Sequence, residues 1–81
     1  MFFVYILYSK KLNKYYTGQT DNLHTRLRSH KKGISTYTSS SDDWQLVYSE
    51  SFQTRAEAIK RESQIKRKKS KKYMEFLIQS S

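Results

Sequence analysis

The chain opens with the run Phe2-Phe3-Val4-Tyr5-Ile6-Leu7-Tyr8, in which every residue is apolar or aromatic. A strand with one wet face alternates apolar and polar side chains, because successive residues point to opposite faces. This run does not alternate, so it reads as a strand buried on both sides and therefore central in its sheet. The 81 residues allow one domain, spanning 1–81, which removes roughly 60% of its unfolded surface from water. There is no cysteine, which excludes disulfides and thiolate zinc sites as props. The two histidines, His24 and His30, lie six apart, on different sides of any helix that carries both. Cover for the central strand must come from aliphatic and aromatic side chains.

The remaining elements follow from local signals. Ser9 to Lys14 is a polar turn and Tyr15 to Gly18 starts a second strand, a spacing that favours an antiparallel hairpin. Asp21 is placed to cap a helix and Gly33 to end it in the left-handed conformation, with Leu23 and Leu27 as its buried stripe. Ile34 to Asp43 reads as a mostly polar loop. Trp44 to Phe52 sets Trp44, Leu46 and Tyr48 against Gln45, Val47 and Ser49, the alternation of a third strand. Thr54-Arg55-Ala56-Glu57 has the capping-box pattern and opens a helix through about Lys69. Ser70 is placed to cap a short last helix carrying Tyr73, Phe76 and Leu77. The order ββαβαα predicts an α+β fold, a three-stranded antiparallel sheet flanked by helices. The apolar N-terminal run is too short for a signal peptide or a membrane span, so the expectation is a soluble, cytoplasmic protein with no membrane partner.

Charge points to a partner. Sixteen Lys and Arg face seven acids, a net +9, and the excess is uneven. Arg55 to Lys72 holds nine basic residues and two acids, Glu57 and Glu62, so +7 of the total sits there. Uneven positive charge suits a polyanion, because each Lys or Arg contact to a phosphate releases condensed counterions. A solvated helix face kept soluble by lysine is the plainer reading of the same run.

Several residues are hard to assign to packing alone. Arg26 and His30 are four apart and share a helix face, although a solvated Arg-His pair is common. Glu62, four after Ala58 and three before Ile65, falls inside the apolar stripe of its helix. A carboxylate facing a core needs a partner, because burying its charge costs several kcal/mol. A salt bridge to Arg26 or a lysine would satisfy it, and so would a divalent cation held in a cleft. Tyr5 and Tyr16 come from neighbouring strands, and Gly18 marks either a turn or a close approach. Tyr8, Tyr15, Tyr37, Tyr48 and Tyr73 read as core and rim aromatics.

Phe3-Val4-Tyr5, followed by Tyr16-Thr17-Gly18, resembles the paired signature of the GIY-YIG nucleases. The resemblance continues through Gly18-Gln19-Thr20, Asn22-Leu23 with Arg26, His30, and Ala58 with Glu62, from Phe2 to about Ile78. It is closest to the small stand-alone bacterial members, which are similar to the nuclease domains of structure-specific endonucleases. Phe3 stands where the signature has glycine, Thr17 where it has isoleucine, and Lys31 where an asparagine often follows the histidine. Many members also place an asparagine after the metal-binding glutamate. The only asparagines here are Asn13 and Asn22, which bears on full activity rather than on the fold.

The resemblance implies a metal-dependent DNA endonuclease, structure- rather than sequence-directed, acting in DNA repair or recombination. Its catalytic residues would be Tyr5, Tyr16, Arg26, His30 and Glu62, with Glu62 holding a single Mg²⁺ or Mn²⁺ and Arg26 gripping the phosphate. Tyr5 or His30 would handle the proton of the attacking water. Lys14, Gly18, Lys66, Arg67, Lys68, Lys69, Lys71 and Lys72 would contact the nucleic acid. The DNA partner would be branched, flapped or nicked, and a targeting protein could supply further direction. Two other readings stay open: a nucleic-acid-binding module of the same fold with weak or no catalysis, and a basic adaptor for an acidic protein.

Overall fold

A computed structural model describes residues 1–31, 43–68 and 70–80. The order is β1 (Phe2–Ser9), β2 (Lys14–Thr20), α1 (Leu23–Lys31), β3 (Gln45–Phe52), α2 (Arg55–Lys68) and α3 (Lys71–Ser80). The sheet order is β2-β1-β3 with both pairings antiparallel, so the uniformly apolar strand is indeed central. The ββαβαα α+β architecture is the one the pattern predicts.

Alternation along β1 assigns its side chains to two layers. Val4 and Ile6 pack against Ala58 and Ile65 of α2 and Met74 and Leu77 of α3. Tyr5 and Leu7 pack on the opposite face with Trp44, against Leu23 and Leu27 of α1. The sheet is thus covered by α1 on one side and by α2 with α3 on the other. Each fully buried aliphatic side chain of β1 contributes about 1.5–3 kcal/mol relative to exposure.

Three local expectations are corrected. Asn22, not Asp21, caps α1: the Thr25 amide donates to Asn22 Oδ1 at 3.1 Å, while Asp21 lies 3.7 Å from the Arg55 guanidinium. Both residue types cap well, so the sequence did not distinguish adjacent positions. The predicted end of α1 at Gly33 lies outside the described residues. In β3, Ile6 pairs with Tyr48 but Leu7 pairs with Leu46, so Val47 is an extra residue. That β-bulge breaks the predicted alternation and places both Val47 and Tyr48 against the α2–α3 layer. In α3 the buried residues are Met74 and Leu77, and Phe76 is 63% exposed.

The predicted caps of α2 and α3 are present. The Glu57 amide donates to Thr54 Oγ1 at 3.3 Å, and the Thr54 hydroxyl donates to Glu57 Oε1 at 3.0 Å. The Tyr73 amide donates to Ser70 Oγ at 3.4 Å. The β1–β2 turn is held by two side chains. Asn13 adopts a left-handed φ of 52°, which asparagine tolerates, and accepts a hydrogen bond from the Tyr8 hydroxyl at 2.9 Å. Buried Ser9 donates to Asp43 Oδ1 at 2.6 Å, and the Lys11 amide donates to Asp43 Oδ2 at 2.9 Å. Asp43 therefore fastens the approach to β3 onto the hairpin.

A polar network joins the other layer. Arg61 Nε donates to both Glu50 oxygens, at 3.3 and 3.0 Å, and Arg61 Nη1 donates to the Tyr73 hydroxyl at 3.2 Å. The Tyr48 hydroxyl donates to Glu50 Oε2 at 2.5 Å. Burial, then the Glu50 hydrogen bond, pushes the Tyr48 phenol above its ordinary pKa. Tyr48 and Tyr73 are more than rim aromatics: they help satisfy a half-buried ion pair between β3 and α2.

Candidate active site

Tyr5 and Gly18 are cross-strand partners on β1 and β2, and the Tyr5 side chain is directed to the α1 face. The Tyr5 ring lies across the place a Gly18 side chain would occupy. A Cβ there would stand 2.6 Å from Tyr5 Oη, 2.8 Å from Tyr5 Cζ and 3.1 Å from Tyr16 Cε2. Gly18 is therefore a close-approach glycine within a strand rather than a turn glycine. Tyr16 stacks obliquely on Tyr5, with ring centroids 6.3 Å apart at 45°.

Arg26 reaches the same phenol from α1. Its Nε donates to Tyr5 Oη at 3.4 Å, while Arg26 itself stays exposed. The site thus fixes an exposed guanidinium on a fully buried hydroxyl. The Tyr5 pKa is pushed up to about 12, chiefly by burial, with the Arg26 hydrogen bond opposing it and Tyr16 adding to it. The Tyr5 hydrogen bond in turn raises Arg26. Lys14, expected to contact nucleic acid, stands at the hairpin end opposite Ser9. That is four residues from Gly18, roughly 13 Å of strand.

His30 lies in α1, one turn beyond Arg26 and on the same side of the helix. Its side chain is outside the described residues, as is that of Lys31. Glu62 belongs to another layer. Its carboxylate is 19% exposed and lies 2.9 Å from Lys66 Nζ. Helical spacing puts Glu62 seven residues after Arg55 and so on the same flank of α2. Arg55 donates to Gln19 Oε1 of β2 at 3.4 Å, pairs with Asp21 and lies 4.8 Å over the Phe2 ring. Glu62 thus sits on the flank of α2 that faces the β2 edge, and Arg61 on the flank that faces β3. The structure brings Tyr5, Tyr16, Gly18 and Arg26 together on the α1 side, and holds Glu62 on the α2 side.

Among the described residues, no group of three or more His, Asp or Glu side chains could hold a metal ion as a protein cage. The one half-buried carboxylate on this flank suits a hard cation that keeps most of its waters, which Mg²⁺ does. A lone carboxylate already paired with Lys66 does not make a cation site held by protein alone.

The nucleic-acid candidates Lys66, Arg67 and Lys68 end α2, and Lys71 and Lys72 begin α3; all five are exposed. Lys68 Nζ lies 5.6 Å over the Tyr73 ring. Lys69 is outside the described residues. Sequence reasoning passed over Arg55, whose binding to Gln19, Asp21 and Phe2 was signalled only by its place in the first turn of α2.

No helix of the described residues is long and apolar enough to cross a membrane. The profile of the GIY-YIG catalytic domain matches residues 1–74. The chain is 36% identical over 77 residues to the UPF0213 protein YazA of Bacillus subtilis, covering 90% of this chain and 77% of that protein. It is 40% identical over 65 residues to the UPF0213 protein SH2523 of Staphylococcus haemolyticus, covering 79% of this chain and 78% of the relative. Against the UPF0213 protein CPE1444 of Clostridium perfringens the identity is 41% over 68 residues, 83% of this chain and 72% of the relative. No solved structure matches significantly. With the signature tyrosines paired across β1 and β2 and the domain profile matched over most of its length, the chain belongs to the GIY-YIG family, among its small UPF0213 proteins of bacteria.

Proposed function

We propose that this chain is a DNA-binding module of the nuclease fold that grips a backbone phosphate at Arg26. The observation that carries the reading is the hydrogen bond from Arg26 Nε to the buried Tyr5 hydroxyl. It holds an exposed guanidinium in a set orientation, the arrangement that phosphate recognition requires. The basic end of α2 and start of α3 add contacts that position DNA without reading its sequence. The test is binding of labelled branched, flap and linear DNAs across a salt series, with Arg26→Gln beside the parent chain. Equal affinity of the two proteins for every DNA would remove Arg26 from the interface.

A second reading, metal-dependent and structure-directed cleavage in DNA repair or recombination, is favoured by the placement of Glu62 between Ala58 and Ile65. A divalent cation at Glu62 would neutralise charge on the phosphoryl oxygens. Arg26 would hold the phosphate, and Tyr5 and Tyr16 would orient the attacking water. Ionising a tyrosine of pKa about 12 costs about 7 kcal/mol at pH 7. In the metal-free chain Tyr5 thus keeps its proton and would serve as an orienting hydroxyl, with His30 as the candidate proton acceptor. Incubating the same DNAs with and without Mg²⁺ or Mn²⁺ separates the two readings: cleavage products with the cation support the second, and intact bound DNA supports the first.

A further inference from the structure

Among the described residues Phe76 is the only aromatic side chain classed as exposed, with 63% of it facing solvent. The core does not need it there. Met74 and Leu77 of α3 are buried with Tyr73 packed beside them, and helical spacing turns Lys72, Phe76 and Gln79 to the opposite side. A single apolar side chain in water needs no explanation by itself. The surroundings of Phe76 are what set it apart. Lys72 precedes it by one turn on the same face, a spacing of about 5–6 Å between Cβ atoms. None of the ion pairs among the described residues engages Lys72. Tyr73, three residues before Phe76, shares the adjoining flank; its hydroxyl accepts from Arg61 Nη1 at 3.2 Å, and Lys68 Nζ lies 5.6 Å over its ring. Two rings and two ammonium groups thus occupy one strip of surface. The one acid of α3, Glu75, stands towards β2: burial and then the Glu75 charge raise the Tyr15 phenol.

The strip is poorly suited to a protein. A stable protein interface covers about 800 Å² of each partner and is depleted of lysine at its centre, whereas here one ring is bordered by ammonium groups. A nucleotide matches it better, because its base has a flat π face of ring size and its phosphate lies one sugar away. Proteins that bind single strands combine these same parts, cations along the backbone and aromatic rings under the bases. Bases inside a duplex already stack on one another, so an exposed phenyl ring favours unpaired ones.

We propose that Phe76 is a stacking platform for an unpaired DNA base, with Lys72 and Lys68 holding phosphates of the same strand. The surface then selects single-stranded segments, such as a flap, over continuous duplex. This deepens the DNA-binding reading above and rests on it. Arg26 lies on α1, across the sheet from α3, so the two contacts can be removed separately.

The experiment measures fluorescence anisotropy of a labelled oligothymidylate, whose bases stack little on each other, and of a duplex of equal length. The proteins are the parent chain, Phe76→Ala, Phe76→Leu, Phe76→Trp and Arg26→Gln. Phe76→Ala should weaken single-strand binding about tenfold, within the range for loss of one stacked base. Its duplex affinity and its slope of log affinity against log salt should match the parent, since no phosphate contact is lost. Phe76→Trp should bind the single strand at least as tightly as the parent, and Phe76→Leu, apolar but without a π face, as weakly as Phe76→Ala. Equal single-strand affinity of Phe76→Ala and the parent overturns the platform, and Arg26 keeps its role if Arg26→Gln still weakens duplex binding. Phe76→Leu binding like the parent overturns it as well, as does self-association of the parent in sedimentation that Phe76→Ala abolishes; either result makes Phe76 an apolar contact. Absence of binding to both DNAs by the parent overturns the platform and the DNA-binding reading together.

Discussion

Replacing Gly18 by alanine adds one methyl group at the most crowded point of the candidate site. The new Cβ would stand 2.6 Å from Tyr5 Oη and 2.8 Å from Tyr5 Cζ, closer than such atoms approach in folded proteins. The Tyr5 ring cannot swing clear, because it is fully buried among Leu7, Trp44 and the α1 leucines. Overpacking of this kind costs about 1–3 kcal/mol. Against it stands about 0.5–1 kcal/mol gained by removing a strand glycine, since no positive φ is required at Gly18. The net expectation is a loss of about 1–2 kcal/mol, or about 5–15 °C in Tm for a domain of this size. The displaced phenol would also shift the Arg26 anchor, so DNA affinity should fall in parallel. Thermal unfolding of Gly18→Ala, Tyr5→Leu and the double variant measures the coupling. The Gly18→Ala penalty should shrink by about 1 kcal/mol once the ring is gone. A Gly18→Ala protein as stable as the parent, or a penalty undiminished in the Tyr5→Leu background, refutes the close-approach explanation.

Three further outcomes follow from the same geometry. The Tyr5 pKa is raised in the folded state, so the folded chain holds its proton where the unfolded chain has lost it; stability should fall as pH rises from about 10 to about 12. Tyr5→Phe should flatten that alkaline limb in denaturant unfolding, and an unchanged limb would assign it to other phenols such as Tyr15 and Tyr48, also raised by burial. Replacing Lys68, Lys71 and Lys72 by glutamine should reduce the slope of log affinity against log salt by about 0.9 for each phosphate no longer neutralised, and an unaltered slope moves the DNA to another face. Arg61→Met should destabilise the chain by about 2 kcal/mol by stranding Glu50 and the Tyr73 hydroxyl, with metal-free DNA affinity unchanged; weaker binding at constant Tm would place Arg61 against the DNA instead.

The parts of the fold visible in the sequence are those fixed by local chemistry. The unbroken apolar run of β1 demanded cover on two sides, and the capping patterns at Thr54 and Ser70 needed only their own neighbours. Asp21 and Asn22 are equally good caps in isolation, and the folded chain uses Asn22 while Asp21 turns to Arg55 from across the fold. The bulge at Val47 was illegible for a related reason. Register belongs to the pair of strands, and the pattern Trp44-Leu46-Tyr48 looks regular until Leu7 and Ile6 are set beside it. Within the candidate site, spacing and resemblance together singled out Tyr5, Tyr16 and Arg26, and the structure joins them. The sequence could not reveal that Tyr5 is held protonated by burial, because that depends on the roof of Trp44, Leu23 and Leu27. It also left the partner of Glu62 open between Arg26 and a lysine, a choice set by which flank of α2 faces the sheet.

The extra residue at Val47 makes β3 two half-strands of opposite phase. Its first half, with the preceding Trp44, serves the tyrosine side of the sheet; its second half, with Tyr48, Glu50 and Phe52, serves the helical pair on the other side. One pass of chain along an edge therefore furnishes both layers, which a regular strand of this composition could not do without exposing one set or the other. Deleting Val47 would set Leu46 and Tyr48 side by side opposite Leu7 and Ile6, the partners they already have, so Trp44 and Glu50 would keep their sides of the sheet. What would go is the local bend and the second apolar side chain beside Tyr48 on the helical-pair face. Chains that share this architecture should accordingly accept loss of the bulge residue more readily than an insertion or deletion elsewhere in β3, which would turn part of the strand over.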